Sequence, residues 1–272
     1  MKIHDVTQGS PEWLALRTKY PTASEFSNII TPKELKPSKS MVKYIARKLA
    51  EKWMGQPMES VVAPAADQGT VRQDAARDWY GLEMGVDVQA VGLIVADDEK
   101  SACSPDGLIG GQYGLEVKCP EADTHVRWVL EGELPPEHML QVQGSMMVCG
   151  LTRWDFLSYY PEMPNLLLTI LPEPSVHDAL RRGLVEFWKQ FDQGWERLIE
   201  ANGGREPART YTVEYENGAR VEKLAPKISP ESAEFVAQQA VEWEEFVKGG
   251  NLPMDARSEG LRAAAREGNA NV

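Results

Sequence analysis

The stretch Ser104–Pro120, SPDGLIGGQYGLEVKCP, gathers the residue types in this chain that could do chemistry. Asp106 falls in a Ser-Pro-Asp-Gly sequence, and Glu116 and Lys118 follow ten and twelve residues later. Pro105 fixes its own φ at about −65° and Gly107 tolerates a positive φ, so the tetrapeptide reads as a turn. Leu115, Glu116, Val117 and Lys118 then alternate apolar and charged, with the period of a strand. Glu116 and Lys118 are two apart and leave the same face, opposite Leu115 and Val117. If the turn folds back beside the strand, the two carboxylates converge, with an ammonium group next to them. Converging carboxylates repel unless a cation sits between them, and hard oxygen ligands suit Mg²⁺ or Mn²⁺. A metal there could polarise a phosphoryl oxygen and lower the pKa of a bound water. Lys118 would orient that water or stabilise developing negative charge. An ordinary hairpin with a polar solvent face fits the same spacing, so spacing alone does not decide.

The elements that must position these residues can be read along the chain. Ser10-Pro11 begins a short helix through Leu16. Thr22-Ala23-Ser24-Glu25 has a capping-box pattern, with Thr22 as N-cap and Glu25 three residues on. Met41, Tyr44, Ile45, Leu49 and Trp53 make the apolar stripe of a helix over 39–55. A helix is expected over 67–83, a strand over 86–96, a helix over 136–150, and strands over 153–160 and 166–171, the last one buried. A long amphipathic helix spans 175–202. This order suits an α/β or α+β core, a central mixed sheet flanked by helices, in a domain over 1–202. The remainder, 203–272, is an appendage without a legible chemical motif. Asn217-Gly218 marks a hairpin, Ser229 caps a helix reaching about Val247, and 251–272 has the composition of a disordered tail.

The runs ACSPDGL and GLEVKCP resemble the PD-(D/E)xK nucleases, and more closely the lambda exonuclease or YqaJ-type viral recombinase family. Three more stretches match that family in order. They are Trp13–Arg17 with Thr22-Ala23-Ser24-Glu25, the helix Gly69–Tyr80, and His138-Met139-Leu140-Gln141-Val142-Gln143 with the SMMV after it. The resemblance implies a restriction-endonuclease-like core and a Mg²⁺-dependent 5′→3′ exonuclease, with Mn²⁺ as a substitute and two ions as the usual number. Its substrate would be the 5′-phosphorylated end of duplex DNA. The 3′ single strand left behind would pass to an annealing protein in phage-type recombination. A homotrimeric ring in the bacterial cytoplasm is also implied.

By the same resemblance, Asp106, Glu116 and the Val117 carbonyl hold metal and Lys118 assists the attacking water. Arg17 grips the 5′-phosphate, Ser24 donates to it, Ser104 touches DNA near the cleaved bond, and Gln141 faces the site. On residue chemistry alone, Arg17 is an arginine packed over Trp13 four residues earlier. Likewise Ser24 is a polar residue in a first turn, and Ser104 is a serine beginning a turn. Gln143, two positions from Gln141 on a helix, is expected to be structural. One position departs from the pattern: Gln73 stands where the family usually has Glu, which puts a second metal in question. A natural variant ligand, an engineered change that slows cleavage, or substitution by Asp74 would each explain it. Asp74 is the weakest, because one residue turns about 100° around a helix. Gln73→Glu is expected to leave activity equal or higher.

Composition sets outer bounds. A chain of 272 residues can bury a substantial core. No apolar run approaches the ~20 residues that span a bilayer, and MKIHDVTQGSPEW lacks the apolar stretch of a signal peptide. Three cysteines, Cys103, Cys119 and Cys149, without C-x-x-C spacing argue for reduced thiols rather than disulfides, zinc or an iron–sulfur cluster. The net charge of −12 opposes nonspecific coating of nucleic acid, yet leaves room for a locally basic lining. Four scattered histidines and no Gly-rich phosphate loop disfavour other enzyme classes. Two alternatives remain open: a catalytically weakened DNA-end-binding module, and a protein whose appendage recruits a recombinase.

Overall fold

Ser10 and Pro11 start the first helix for local reasons. The Ser10 hydroxyl accepts the Trp13 amide, and Pro11 sits in the first turn, where no backbone donor is needed. The structure, a computed structural model, describes residues 1–58, 65–207, 210–214 and 220–224. The chain divides into two compact units, Met1–Pro207 and Ala208–Val272. Helices in the first unit are α1 (Pro11–Arg17), α2 (Met41–Met54), α3 (Ala65–Met84), α4 (Ala122–Glu131), α5 (Pro136–Cys149) and α6 (Pro174–Ala201). The expected stripe of α2 is buried at Met41, Tyr44, Ile45 and Leu49, and Gly55 ends the helix in the left-handed region at φ 67°.

Among the described residues of this unit, seven strands form two sheets. Strands β1 (Lys2–His4), β2 (Leu93–Val95) and β3 (Ala102–Cys103) are antiparallel in that order. Strands β4 (Gly107–Ile109), β5 (Tyr113–Lys118), β6 (Trp154–Ser158) and β7 (Leu166–Ile170) make the second sheet. Its β5–β6 pair is parallel and the others are antiparallel, so the sheet is mixed. Parallel neighbours need a crossover, here supplied by α4 and α5. Leu115 and Val117 of β5 pack with Ala76 and Tyr80 of α3 and Leu157 of β6. In the larger core, Leu140, Val142 and Met146 of α5 join Phe26, Ile29, Trp154, Phe156 and Phe187.

Asp155 is wholly buried on β6, and its charge is fully compensated. Tyr80 donates at 2.6 Å, Arg153 donates through Nη2 at 2.7 Å and Nε at 3.0 Å, and Thr169 donates at 2.9 Å. This network ties α3, β6 and β7 together.

Several sequence expectations are corrected. The segment after Thr22 is a 3-10 helix, Ala23–Asn28; Thr22 is its N-cap by backbone position but makes no side-chain cap bond. The strand expected over 86–96 shrinks to Leu93–Val95, and Gln89 contributes only an isolated bridge to Leu108. The strand at 166–170 is only partly buried, since just Leu166 is enclosed. Gly107 is not in the left-handed region; it is required because a Cβ there would meet Val88 Cγ1 at 2.4 Å. The positive φ angles belong to Gly110 and Gly111, at the tip of the β4–β5 hairpin. Helix α4 and strand β1 were not legible in the sequence.

In the second unit, β8 (Thr210–Glu214) and β9 (Arg220–Leu224) pair antiparallel from Thr210↔Leu224 to Glu214↔Arg220. The Asn217-Gly218 turn, the helix from Ser229 and the segment 251–272 lie outside the described residues. Among the described residues, no helix is long and apolar enough to cross a membrane. All three cysteines are unbridged, and the Cys103 and Cys149 sulfurs lie 3.4 Å apart.

Candidate active site

The β4–β5 hairpin brings Asp106 and Glu116 together. The Asp106 amide donates to the Leu115 carbonyl at 3.1 Å, and Gly107 pairs with Leu115. Asp106 Oδ2 in turn accepts the Val117 amide at 2.7 Å, so the carboxylate is clamped to the strand that carries Glu116. Glu116 Oε1 accepts Lys118 Nζ at 2.5 Å and Gln141 Nε2 at 2.5 Å. Strand alternation puts Glu116 and Lys118 on the face toward α5, away from the apolar contact with α3. Lys118 stays partly open, with 27 % of its side chain exposed, while Glu116 is almost completely enclosed.

Burial pushes the Asp106 carboxyl up to about 7, helped by the nearby Glu116 charge and opposed by Lys118, the Val117 N–H and Arg77. Burial works to lower the Lys118 ammonium, but the Glu116 and Asp106 charges outweigh it, and its pKa rises. Glu116 Oε2 is buried and has no hydrogen-bond partner. An unpartnered anionic oxygen beside a carboxyl with a raised pKa is a pairing that a hard cation would relieve, so these residues fit a divalent metal. Among the described residues, no three His, Cys, Asp or Glu side chains cluster as a metal-binding group.

Helix α3 adds two contacts. Gln73 Nε2 donates to Asp106 Oδ1 at 3.1 Å, and Arg77 Nη1 reaches the Asp106 carbonyl at 3.4 Å. Gln73 therefore stands at the carboxylate pair, where its place in the motif puts it. Asp74 is exposed and pairs with Arg77 instead of turning inward. Arg77 went unread in the sequence, although it lies one helical turn past Gln73 and shares its face.

Arg17 lies over the Trp13 ring, 4.4 Å from its centroid, and Nη2 donates to Ser24 Oγ at 3.3 Å. Burial lowers the guanidinium pKa, against raising contributions from Glu25, Tyr44 and Glu51. Trp13, Arg17, Lys48 and Glu51 are among the walls of a cleft of about 110 Å³. The Trp13 indole N–H donates to Ser104 Oγ at 2.9 Å and to the Gly92 carbonyl at 3.2 Å. One indole thus joins Arg17 to the residue two places before Asp106. Gln8 braces the same turn, its amide donating at 2.9 Å to the Val91 and Pro105 carbonyls. No sequence signal marked Gln8. Gln143 is structural as expected: it donates to the Leu171 carbonyl and accepts the Glu173 amide at the start of α6, both at 2.9 Å.

A mixed α+β core carrying Asp, Glu and Lys on one hairpin defines the PD-(D/E)xK-type exonuclease fold. The profile of the YqaJ-like viral recombinase domain matches residues 12–152, just over half of the 272 residues. The chain belongs to that family. It is similar to LHK-Exo in a crystal structure with dAMP, at 26 % identity and a TM-score of 0.65, over 72 % of this chain and 99 % of that one. A second structure of LHK-Exo, an alkaline exonuclease from Laribacter hongkongensis, gives 26 % identity, a TM-score of 0.64 and the same coverage. A phage-related exonuclease from Haemophilus somnus 129PT shares the fold at 12 % identity and a TM-score of 0.53, over 66 % of this chain and 96 % of that one. A comparison with curated proteins finds no match.

Proposed function

We propose that the chain is a metal-dependent 5′→3′ exonuclease. It would act on 5′-phosphorylated ends of duplex DNA and leave a 3′ single strand for an annealing protein. The observation that carries this reading is the hairpin clamp, which holds Asp106 against β5 beside Glu116 and Lys118. Family membership and the likeness to alkaline exonucleases support nuclease chemistry. Asp106, Glu116 and the Val117 carbonyl would hold Mg²⁺, or Mn²⁺ in its place. When bound, the ion supplies Lewis-acid charge to the scissile phosphate and a water acidic enough to attack it.

The side chains have separate tasks. Gln141 and Lys118 fix the orientation of Glu116 by donating to one of its oxygens, which leaves the other free. Lys118 remains protonated between two carboxylates and partly open, placed to steady the incoming oxygen and the developing negative charge. Arg17, with Ser24, would take the terminal phosphate through the guanidinium fork, which sets the polarity of digestion. Ser104, held by Trp13, would contact the strand near the cut. A homotrimeric assembly threaded by DNA would account for processive digestion.

The test is digestion of linear duplex DNA labelled at either end, with and without 5′-phosphate, in Mg²⁺, Mn²⁺ and EDTA. Metal-dependent loss from the 5′-phosphorylated end is the expected result. Binding that prefers the 5′-phosphate without any cleavage would replace this reading with an end-binding protein.

A further inference from the structure

We infer that the catalytic centre of this chain holds a single divalent cation, and that Gln73 sets that number. The inference rests on the metal reading proposed above and concerns only the count. Two-ion phosphoryl-transfer centres place their ions about 3.5–4 Å apart and stabilise both the attacking and leaving oxygens. Ions that close repel strongly, so the protein must surround them with negative charge, including a carboxylate shared between them.

The donors here fall short of that. Asp106 Oδ2 already accepts the Val117 amide and Oδ1 the Gln73 amide. Glu116 Oε1 already accepts Lys118 and Gln141, leaving Oε2 as the one unengaged carboxylate oxygen of the pair. Two carboxylates balance one dication. A second dication would leave two uncompensated positive charges next to Lys118 and Arg77, which already bring cationic side chains to the pair. The residue that reaches Asp106 from α3 is a neutral amide, and the carboxylate beside it in sequence, Asp74, is exposed and turned to Arg77. No third acidic group is clustered there among the described residues. A glutamate at position 73 would add the missing charge at the tip of the Asp106 carboxylate.

The measurement is the number of Mn²⁺ ions bound per chain, read from loss of the free-ion electron paramagnetic resonance signal on titrating the full-length protein without DNA. The wild type should take one ion and Gln73→Glu two, with circular dichroism melts verifying that each variant is folded. Gln73→Ala should still take one. Two ions on the wild type would overturn the inference while leaving the metal reading intact. A single ion on Gln73→Glu, or none on Gln73→Ala, would also overturn it, since residue 73 would then not control the count or would serve the first ion. No binding by the wild type, or undiminished binding by Asp106→Asn, would instead overturn the metal reading itself.

Discussion

Lys118 is the residue on which the proposed chemistry turns. Its ammonium touches Glu116 and stays partly exposed, so it can meet substrate without being a metal ligand. Lys118→Ala should lower cleavage on the order of 10²–10⁴-fold, the usual reach of a positioned proton-transfer or charge-stabilising group. Binding of 5′-phosphorylated duplex should persist. Turnover near the wild-type rate would contradict the assignment. His138 offers a pH test. Its ring packs against both Trp128 and Phe156, at centroid distances of 5.3 and 5.6 Å. Burial first, and the Lys118 charge second, push its pKa down to about 4 from an ordinary 6.5. The folded value lies below the unfolded one, so the ring's contribution is complete above about pH 6.5 and is lost as pH falls toward 4. The raised Asp106 carboxyl has the opposite slope across that whole window, so the two effects must be separated. Between pH 7 and pH 5 in EDTA, the wild type should lose more stability to urea than His138→Phe does. Parallel profiles would show that the ring does not titrate as argued. Asp106, Glu116, Lys118, Gln141 and Gln73 were all legible because they sit in contiguous motifs. Gln8 and the Trp13–Ser104 bond were not, because side-chain contacts across more than ninety residues leave no periodic trace.

At the scale of elements, α5 links the two halves of the site. Gln141 reaches Glu116, and one turn later Gly144 rests on Phe26 of the 3-10 helix that carries Ser24. A Cβ on Gly144 would lie 2.4 and 2.6 Å from two Phe26 ring carbons. Gly144→Ala should therefore cost about 1–3 kcal/mol of stability, measured by urea denaturation, as the ring and helix are forced apart. A loss well below that range would show that Phe26 can move aside freely. The long helices were readable from apolar period and end signals. Helix α4 escaped because Glu121 makes no side-chain cap bond and nothing in the preceding sequence announces a start. Val86 and Val88 gave a false strand: both pack as partly buried side chains beside α3, in a segment without ladder pairing. Burial alone can imitate strand alternation when only a few residues are involved.

For the whole molecule, a net charge of −12 means that a grip on DNA depends on where its 29 lysines and arginines are gathered, not on the overall field. At the site, Lys48 is held by the Arg17 carbonyl and Glu51, and Arg77 by the Asp106 carbonyl and Asp74, which leaves Arg17 and Lys118 as the site cations to meet phosphate. The salt dependence of duplex binding should accordingly be shallow, since the slope grows by about 0.9 per phosphate neutralised. A steep slope would point to a basic surface elsewhere in the assembly. The division at Pro207 invites a second test at this scale. A chain ending at residue 207 should still digest end-labelled duplex, because every residue assigned to the chemistry precedes that point. Loss of annealing-protein binding by the shortened chain would give recruitment to the second unit. The indole of Trp13 has a consequence for the products. On the proposed reading, one of its contacts belongs to the phosphate anchor and another to the neighbourhood of the cut. The interval between holding and cutting is then fixed by the width of a rigid ring, as a gauge block fixes the stroke of a tool. Fragment length would be independent of base sequence and uniform from the first cut to the last.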